Sequence, residues 1–214
     1  MKQSERYGNA RAELLAAEIE LKEQRERVAE LRRGLPLDTI VEDHVFTEAL
    51  PGGSTRELRI SELFDDPLKP LVLVHLMFGK KQEQPCPMCT MWADGYSGTV
   101  EHLSQSVNFG VLVAGDAAAF RKYADERGWG AMRIVSSGDA SLKLDVGMET
   151  PDGAQLPGVS VFERDADGNV LHFYSACAMM GGGHFRGMDQ LSPVWNFLDL
   201  TREGRGEFMP KRQY

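Results

Sequence analysis

Length, composition and charge exclude several kinds of protein. The chain has 214 residues, of which 42% are hydrophobic and 26% are charged, which suits one packed domain with an appendage and argues against disorder throughout. Its formal net charge of −8 argues against a nucleic-acid-binding surface, because phosphate recognition needs clustered Lys and Arg.

The first predicted element is one long helix from about Ser4 to Arg33, because strong helix formers dominate this segment and Gly34 and Pro36 end it. Its apolar residues form a heptad-like stripe of Leu14, Ala17, Leu21, Val28 and Leu31. The stripe can pack on the helix's own domain or pair two copies as a homodimer, and both interpretations stay open. The sequence thus predicts a helical arm, residues 1–36, and a main domain, residues 37–214.

The charged start of the chain lacks the pattern of a secretory signal, since residues 1–33 contain no apolar run before a small-residue cleavage site. The longest apolar segment, Leu71 to Phe78, is much shorter than the ~18 residues of a membrane-spanning helix. We expect a cytoplasmic protein that does not bind membranes.

The main domain alternates predicted strands and helices. The strands are predicted over residues 41–46, 57–60, 71–78, 107–114, 133–136, 159–162 and 170–174. The helices are predicted over residues 87–103, 116–127, 141–146 and 190–198. Alternation requires parallel pairing, and a turn at 165–168 adds an antiparallel edge hairpin. The predicted fold class is α/β: a central mixed sheet flanked by helices, with a long N-terminal helix and a β-hairpin extension.

The segment Cys86-Pro-Met-Cys89 follows the apolar strand where a helix begins. Unpartnered amides and the helix dipole stabilise a thiolate there, so the pKa of Cys86 can fall from about 8.5 to between ~3.5 and 7.5. Pro87 suits the first helical turn, and Cys89 lies one turn further on the same face. The pattern predicts that Cys86 attacks a disulfide and Cys89 resolves the mixed disulfide.

Other interpretations of the cysteines are less favoured. Twelve residues separate Cys89 from His102, as in part of a zinc-finger spacing, but no second His follows at the required distance. The pair can also be unreactive core cysteines, and Cys177 can be a small apolar residue or a third redox thiol. We predict no metal and no cofactor.

Several motifs resemble those of the thioredoxin superfamily, in particular its peroxiredoxin-like branch. The match is closest to a bacterial thioredoxin-like family of unknown function and covers nearly the whole chain. Its motifs are Leu31-Arg-Arg-Gly-Leu-Pro36, His75-Leu-Met-Phe-Gly79, Cys86-Pro-Met-Cys89, Trp92-Ala-Asp94, Gly128-Trp129, Val135-Ser-Ser137 and Gly158-Val-Ser-Val-Phe162. The resemblance implies a thioredoxin-like fold and redox-active thiols.

The resemblance also implies that Pro157 is cis and lies beside the dithiol, where the Leu156 backbone could pair with an extended substrate. The residue pattern alone predicts an ordinary trans proline, because only ~5–6% of such bonds are cis. Gln84 and Pro85 stand where thioredoxin-type reductases usually have Trp before the first Cys. Glu83 stands where peroxiredoxins have Thr or Ser, which makes peroxidase activity an alternative.

Three further residues are candidates for the site. His75, in the apolar strand, is either a buried hydrogen-bonded residue or a proton shuttle to the thiols. Trp92 is either a core residue or a lip over the site that contacts substrate. Asp94 is either a proton acceptor for Cys89 or a solvated surface residue.

Together these features predict a thiol–disulfide oxidoreductase with Cys86 as nucleophile, Cys89 as resolving thiol and Pro157 shaping the substrate groove. The expected partners are a protein or small-molecule disulfide and a second copy of the chain bound through the N-terminal helix, with no nucleic acid and no membrane. The alternatives are a thiol-dependent peroxidase and a non-catalytic interaction module of the same fold.

Overall fold

The computed structural model describes residues 3–180 and 186–212. The chain divides into two compact units, Met1–Leu37 and Asp38–Tyr214. The first unit contains one helix, α1 (Glu5–Arg33), as predicted. Its apolar stripe is exposed, since Leu14 and Leu21 each expose 52% of their surface.

Local interactions at both ends stabilise α1. The Ser4 hydroxyl accepts a hydrogen bond from the Tyr7 backbone N–H at 3.2 Å and so caps the first turn. Arg32 and Arg33 place positive charge in the last turn, where the helix dipole is negative.

The second unit is built on one eight-stranded sheet. Its strands are β1 (Thr39–Ile40), β2 (Val45–Ala49), β3 (Thr55–Arg59), β4 (Leu71–His75), β5 (Asn108–Val113), β6 (Ile134–Ser136), β7 (Gly158–Arg164) and β8 (Val170–Cys177). Their order across the sheet is β1-β8-β7-β4-β5-β6-β2-β3. Because β4 pairs parallel with β5 and antiparallel with β7, the predicted mixed sheet is confirmed.

The late hairpin lies elsewhere than predicted. The sequence places β7 and β8 at an edge, whereas β7 lies beside the central β4 and β8 is covered by β1. Thr39 and Ile40 of β1 pair with His172 and Leu171. No pattern in the sequence indicates β1, because a strand of two residues is too short to show periodicity. For this reason the sequence predicts an edge position for β8. The β2–β3 hairpin forms the opposite side of the sheet by pairing with β6.

The helices of the second unit are α2 (Pro87–Ser97), α3 (Val100–Leu103), α4 (Ala117–Glu126), α5 (Leu142–Asp145) and α6 (Pro193–Leu198). The predicted helix over 87–103 is therefore two helices, and Gly98 follows the last turn of α2. Asp116 caps α4 as predicted, since its carboxylate accepts the Ala119 N–H at 2.6 Å.

The core lies on both faces of the sheet. One face is packed with side chains of α2 and α4, among them Trp92 and Phe120, and the other face carries Phe162. Successive residues of β4 enter opposite clusters, Leu73 one and Val74 the other. This burial on both faces explains why β4 is apolar throughout. The strand therefore ends in the middle of the domain, close to where α2 begins.

Candidate redox-active site

Cys86 is the residue that caps the N terminus of α2. Its backbone is extended (φ −64°, ψ 133°), and Pro87 occupies the first helical turn. The Cys86 N–H donates to the Met77 carbonyl at 3.3 Å, and the Thr90 N–H donates to the Cys86 carbonyl at 2.9 Å. Cys86 is thus held between the segment that leaves β4 and the first turn of α2, as the sequence predicts.

Cys89 lies behind Cys86, inside the protein. Its side chain is 1% exposed and its Sγ accepts the Met77 N–H at 3.3 Å. Cys86 is only partly buried, and both are free thiols. The two thiols lie close enough for each to shift the pKa of the other. The site therefore has one thiol that a substrate can reach and one that solvent cannot.

The surroundings lower the pKa of Cys86 to about 6. The main cause is the hydrogen bond from the Cys89 thiol, which outweighs the opposing effect of partial burial. The backbone N–H groups of Cys89 and Met88 and the positive charge of Arg212 stabilise the thiolate further. At neutral pH Cys86 is therefore mostly ionised, as a nucleophilic cysteine requires.

The same hydrogen bond has the opposite effect on Cys89. Donation to Cys86, burial and the nearby Cys86 charge raise the pKa of Cys89 well above its ordinary value. The Met77 amide and the charge of Lys143 oppose this rise. The dithiol therefore carries one negative charge, and that charge resides on Cys86.

Lys143 of α5 is a residue of this site that sequence reasoning missed. Its side chain is 0% exposed, and its Nζ has no hydrogen-bond partner among the residues that the structure describes. Burial lowers its pKa to about 8, against the raising effects of Glu149 and Cys89. The pattern Leu142-Lys143-Leu144 favours a surface lysine, yet Leu144 is 43% exposed and Lys143 is buried. No local signal could have identified it.

His75, the last residue of β4, is fully buried within a row of polar side chains. Its Nε2 lies 2.8 Å from Ser160 Oγ, and Ser160 Oγ lies 2.7 Å from Ser175 Oγ, which in turn lies 2.8 Å from His172 Nε2. Burial and the charge of Lys143 lower the pKa of His75 well below its ordinary value. His75 is therefore neutral and hydrogen-bonded; its role as a proton shuttle stays a prediction.

Trp92 lies in the hydrophobic core, and Asp94 bonds to residues of a neighbouring segment. Trp92 is 1% exposed and belongs to the core, so the interpretation of Trp92 as a substrate-contacting lip is wrong. Its place on the inward face of α2 explains the burial. The Asp94 carboxylate accepts a hydrogen bond from Trp129 Nε1 at 2.9 Å and forms an ion pair with Arg127. These contacts join α2 to the segment after α4 and favour a structural role for Asp94.

Pro157 differs from the expectation that the resemblance raised. The described residues contain no cis peptide bond, so the Leu156–Pro157 bond is trans. The Leu156 N–H donates to the Met148 carbonyl at 2.9 Å, and the Pro157 carbonyl accepts the Ala178 N–H at 2.9 Å. Internal pairing therefore already uses the N–H that a substrate strand would need. Pro157 is the strand-start proline that the residue pattern alone predicts.

The third cysteine ends β8 near Pro157. Cys177 pairs with Gly158 across β7 and β8, and its Sγ accepts the Met179 N–H at 3.4 Å. Gly158 has no room for a side chain, because an added Cβ would lie 2.5 Å from the Ala176 carbonyl oxygen.

A cleft of about 760 Å³ opens beside Cys86, and Pro85 and Pro87 form part of its wall. The C-terminal segment supplies cationic groups to it, and Arg212 Nε donates to the Pro85 carbonyl at 2.8 Å. Lys122 adds positive charge, while Glu83 and Glu126 add negative charge. The cleft that adjoins the two neighbours of Cys86 is therefore polar and of mixed charge.

Within residues 3–180 and 186–212 no group of three His, Cys, Asp or Glu residues is placed to hold a metal ion. No helix in the same ranges is long and apolar enough to cross a membrane.

A family model described as "bacterial protein of unknown function (DUF899)" matches residues 1–214. The chain belongs to this family. The expected membership of a bacterial thioredoxin-like family of unknown function is thereby confirmed. The DUF899 chain has no match among curated proteins.

Solved structures resemble the DUF899 chain in fold at low identity. Plasmodium yoelii Prx1a, modified at its N terminus, has a TM-score of 0.51 at 9% identity, over 84% of this chain and 99% of that one. The mitochondrial 2-Cys peroxiredoxin of Plasmodium falciparum has a TM-score of 0.49 at 12% identity, over 82% and 100%. Reduced Prx3 of Vibrio vulnificus, in complex with hydrogen peroxide, has a TM-score of 0.49 at 13% identity, over 75% and 95%. The predicted thioredoxin-like fold is confirmed.

Proposed function

We propose that this protein is a thiol–disulfide oxidoreductase in which Cys86 attacks and Cys89 resolves. One observation carries the proposal: a partly exposed cysteine stands at the N-terminal boundary of a helix, and a buried cysteine lies one turn further along that helix. The surroundings lower the pKa of the first thiol and raise that of the second. This difference separates an attacking thiolate from a thiol held in reserve.

The reaction follows from these two states. The Cys86 thiolate attacks one sulfur of a disulfide R–S–S–R′, which forms a Cys86–S–S–R bond and releases R′S⁻. Cys89 then loses its proton and attacks Cys86 Sγ, which forms the Cys86–Cys89 disulfide and releases RS⁻. The released thiolates take up the cysteine protons, so two electrons pass from the dithiol to the substrate.

The substrate that fits this site is a protein or small-molecule disulfide that enters the polar cleft beside Cys86. Peroxide reduction by the same thiols is the alternative. It is disfavoured because Glu83 stands where peroxiredoxins have a Thr or Ser that helps to bind peroxide, so this chain lacks a hydroxyl at that position.

Replacement of Cys89 by serine is expected to trap the substrate on Cys86, because the second attack can no longer occur. Incubation of the variant with oxidised glutathione should give an intact mass increased by one glutathione, and reductant should remove it. The wild-type protein should instead become oxidised within the chain, and Cys177→Ser should behave like wild type. A Cys86→Ser variant that forms the same adduct would contradict the proposal. Wild-type protein that consumes peroxide but leaves oxidised glutathione unchanged would favour the peroxidase.

We also propose that the stripe on α1 pairs two copies of the chain. The stripe is exposed over its length, with Val28 at 40% and Leu31 at 62% in addition to Leu14 and Leu21. Its heptad spacing is the one that pairs helices in coiled coils. This proposal is independent of the thiol chemistry.

The double variant Leu14→Glu, Leu21→Glu is expected to convert a dimer into a monomer, because two charges enter the stripe of each helix. Light scattering after gel filtration measures the mass. Leu15 and Ile19 are exposed to a similar degree, 48% and 47%, but lie off the stripe. Leu15→Glu, Ile19→Glu is thus the matched control and should remain dimeric. A monomeric wild-type protein would mean that the stripe serves another purpose.

A further inference from the structure

Lys143 is a buried charge without a direct partner. Lysine is almost never fully buried unless it is paired, because removal of an ammonium group from water costs several kcal/mol. Here the side chain is 0% exposed, and Nζ makes no hydrogen bond within residues 3–180 and 186–212. Such an arrangement destabilises the fold, so its presence beside a dithiol indicates a functional purpose.

Contacts of the backbone place Lys143 next to the end of β4: the Lys143 carbonyl accepts the Met148 N–H at 2.6 Å, and Met148 lies against Gly158, which pairs with His75. Among the described residues, three titratable groups interact electrostatically with Lys143, each from a different segment. They are Cys89 of α2, His75 of β4 and Glu149 after α5. His75 is neutral, as shown above, and Glu149 helps to keep Lys143 protonated. The remaining member, Cys89, is the group whose charge changes during the proposed reaction. Tyr96, whose buried hydroxyl interacts with Cys89, stays protonated because burial raises its pKa.

The effect of Lys143 on the pKa of Cys89 matters most after Cys86 has bonded to the substrate sulfur. In the resting dithiol, the charge and hydrogen bond of Cys86 are major causes of the high pKa of Cys89. Once Cys86 is bonded to substrate sulfur, both effects disappear and burial alone opposes ionisation of Cys89. The two groups that favour the Cys89 thiolate are then the Met77 amide and Lys143.

We propose that the Lys143 ammonium is a positioning charge that stabilises the Cys89 thiolate during its attack on the mixed disulfide. The inference rests on the proposed function. Lys143 acts through space and forms no covalent bond. Cys89 first gives its proton to solvent, its thiolate then forms the bond to Cys86 Sγ, and the electron pair of the broken Cys86–SR bond leaves with RS⁻. Lys143 is unchanged at the end of the step.

The test separates the two steps with 5,5′-dithiobis(2-nitrobenzoate), which releases one coloured thiolate at each attack. Stopped-flow absorbance should show two phases of equal amplitude in wild-type protein. Lys143→Met keeps the volume but removes the charge, and should slow the second phase about tenfold at pH 7, equivalent to one pKa unit for Cys89. The first phase should change by less than about twofold, because Cys86 is stabilised mainly by Cys89 and backbone amides.

Two further readouts distinguish this role from a structural one. Because Lys143 loses its charge above about pH 8, the difference between wild type and Lys143→Met should shrink above that pH. The variant should also unfold at a higher temperature, because an unpaired buried charge is gone. Lys143→Arg should retain part of the fast second phase, and Lys22→Met on α1 is the matched control.

Equal second phases in wild type and Lys143→Met, with a lowered unfolding temperature, would assign Lys143 to the fold and overturn the inference. If Lys143→Met does not fold, Lys143→Gln takes its place with the same expected second phase. Absence of the first phase in wild type would overturn the proposed function and this inference together. A second phase with the same rate in wild type and in the Lys143 variants would overturn only the inference.

Discussion

Disulfide reduction by Cys86→Ser is expected to be slower than that of wild type by roughly three orders of magnitude or more, the usual effect of removing a nucleophile. The pKa of Cys86 is about 6, so wild-type protein presents a thiolate at neutral pH, whereas a serine hydroxyl remains protonated. The ratio is given by initial rates of insulin reduction, with dithiothreitol to regenerate the dithiol. A second measure is thiolate release from 5,5′-dithiobis(2-nitrobenzoate) in a single turnover by pre-reduced protein, with no other reductant present.

The pH dependence of the reaction of wild-type Cys86 tests whether its thiolate is the nucleophile. Since the thiolate is the reactive form, alkylation of Cys86 by iodoacetamide should rise with pH and reach half its maximum near pH 6. Cys177→Ser is the matched control, because it removes a thiol outside the helix terminus and should retain the wild-type rate. Substantial activity in Cys86→Ser would place the nucleophile elsewhere in the chain.

Replacement of Arg121 by alanine is expected to destabilise the second unit by about 3 kcal/mol or more. The Arg121 side chain is 1% exposed and donates to the Met132 carbonyl at 3.0 Å, the Trp129 carbonyl at 3.1 Å and the Asp125 carboxylate. Its removal leaves two carbonyls without this donor and opens a cavity beneath α4.

All three tryptophans, Trp92, Trp129 and Trp195, lie in the second unit, so their fluorescence follows unfolding of that unit alone. The midpoint should fall by roughly 6 to 12 °C. Lys122→Ala, one residue further along α4 on its exposed side, should shift the midpoint little. Equal stability of Arg121→Ala and Lys122→Ala would show that water or rearranged groups replace the lost hydrogen bonds.

Features that depend on neighbours in the sequence were predictable. The composition of residues 4–33 is sufficient for a helix, the apolar run of β4 requires burial on two faces, and the dithiol precedes a helix that Pro87 can begin. In each case the residues that carry the pattern belong to the same helix or strand that the pattern predicts.

Features that depend on distant segments were not predictable. Local hydrophobicity favours a buried Leu144 and an exposed Lys143, whereas the structure buries Lys143 and exposes Leu144. The packing of α5 on the rest of the domain therefore decides which of the two residues faces the interior. The contribution of Arg212 to Cys86 requires the C-terminal segment to return to the start of α2. The pairing of Leu156 with Met148 and of Pro157 with Ala178 also joins distant segments, although the trans bond before Pro157 is the one that the residue pattern alone predicts.

The two outer strands of the sheet determine how the folded protein can associate. On one side β1 offers only two residues, and on the other side β3 carries Arg56, Glu57 and Arg59 with Leu58 as its one buried residue. Short and charged borders are poor templates for backbone pairing between molecules. Polymerisation by strand addition is therefore disfavoured even at high concentration.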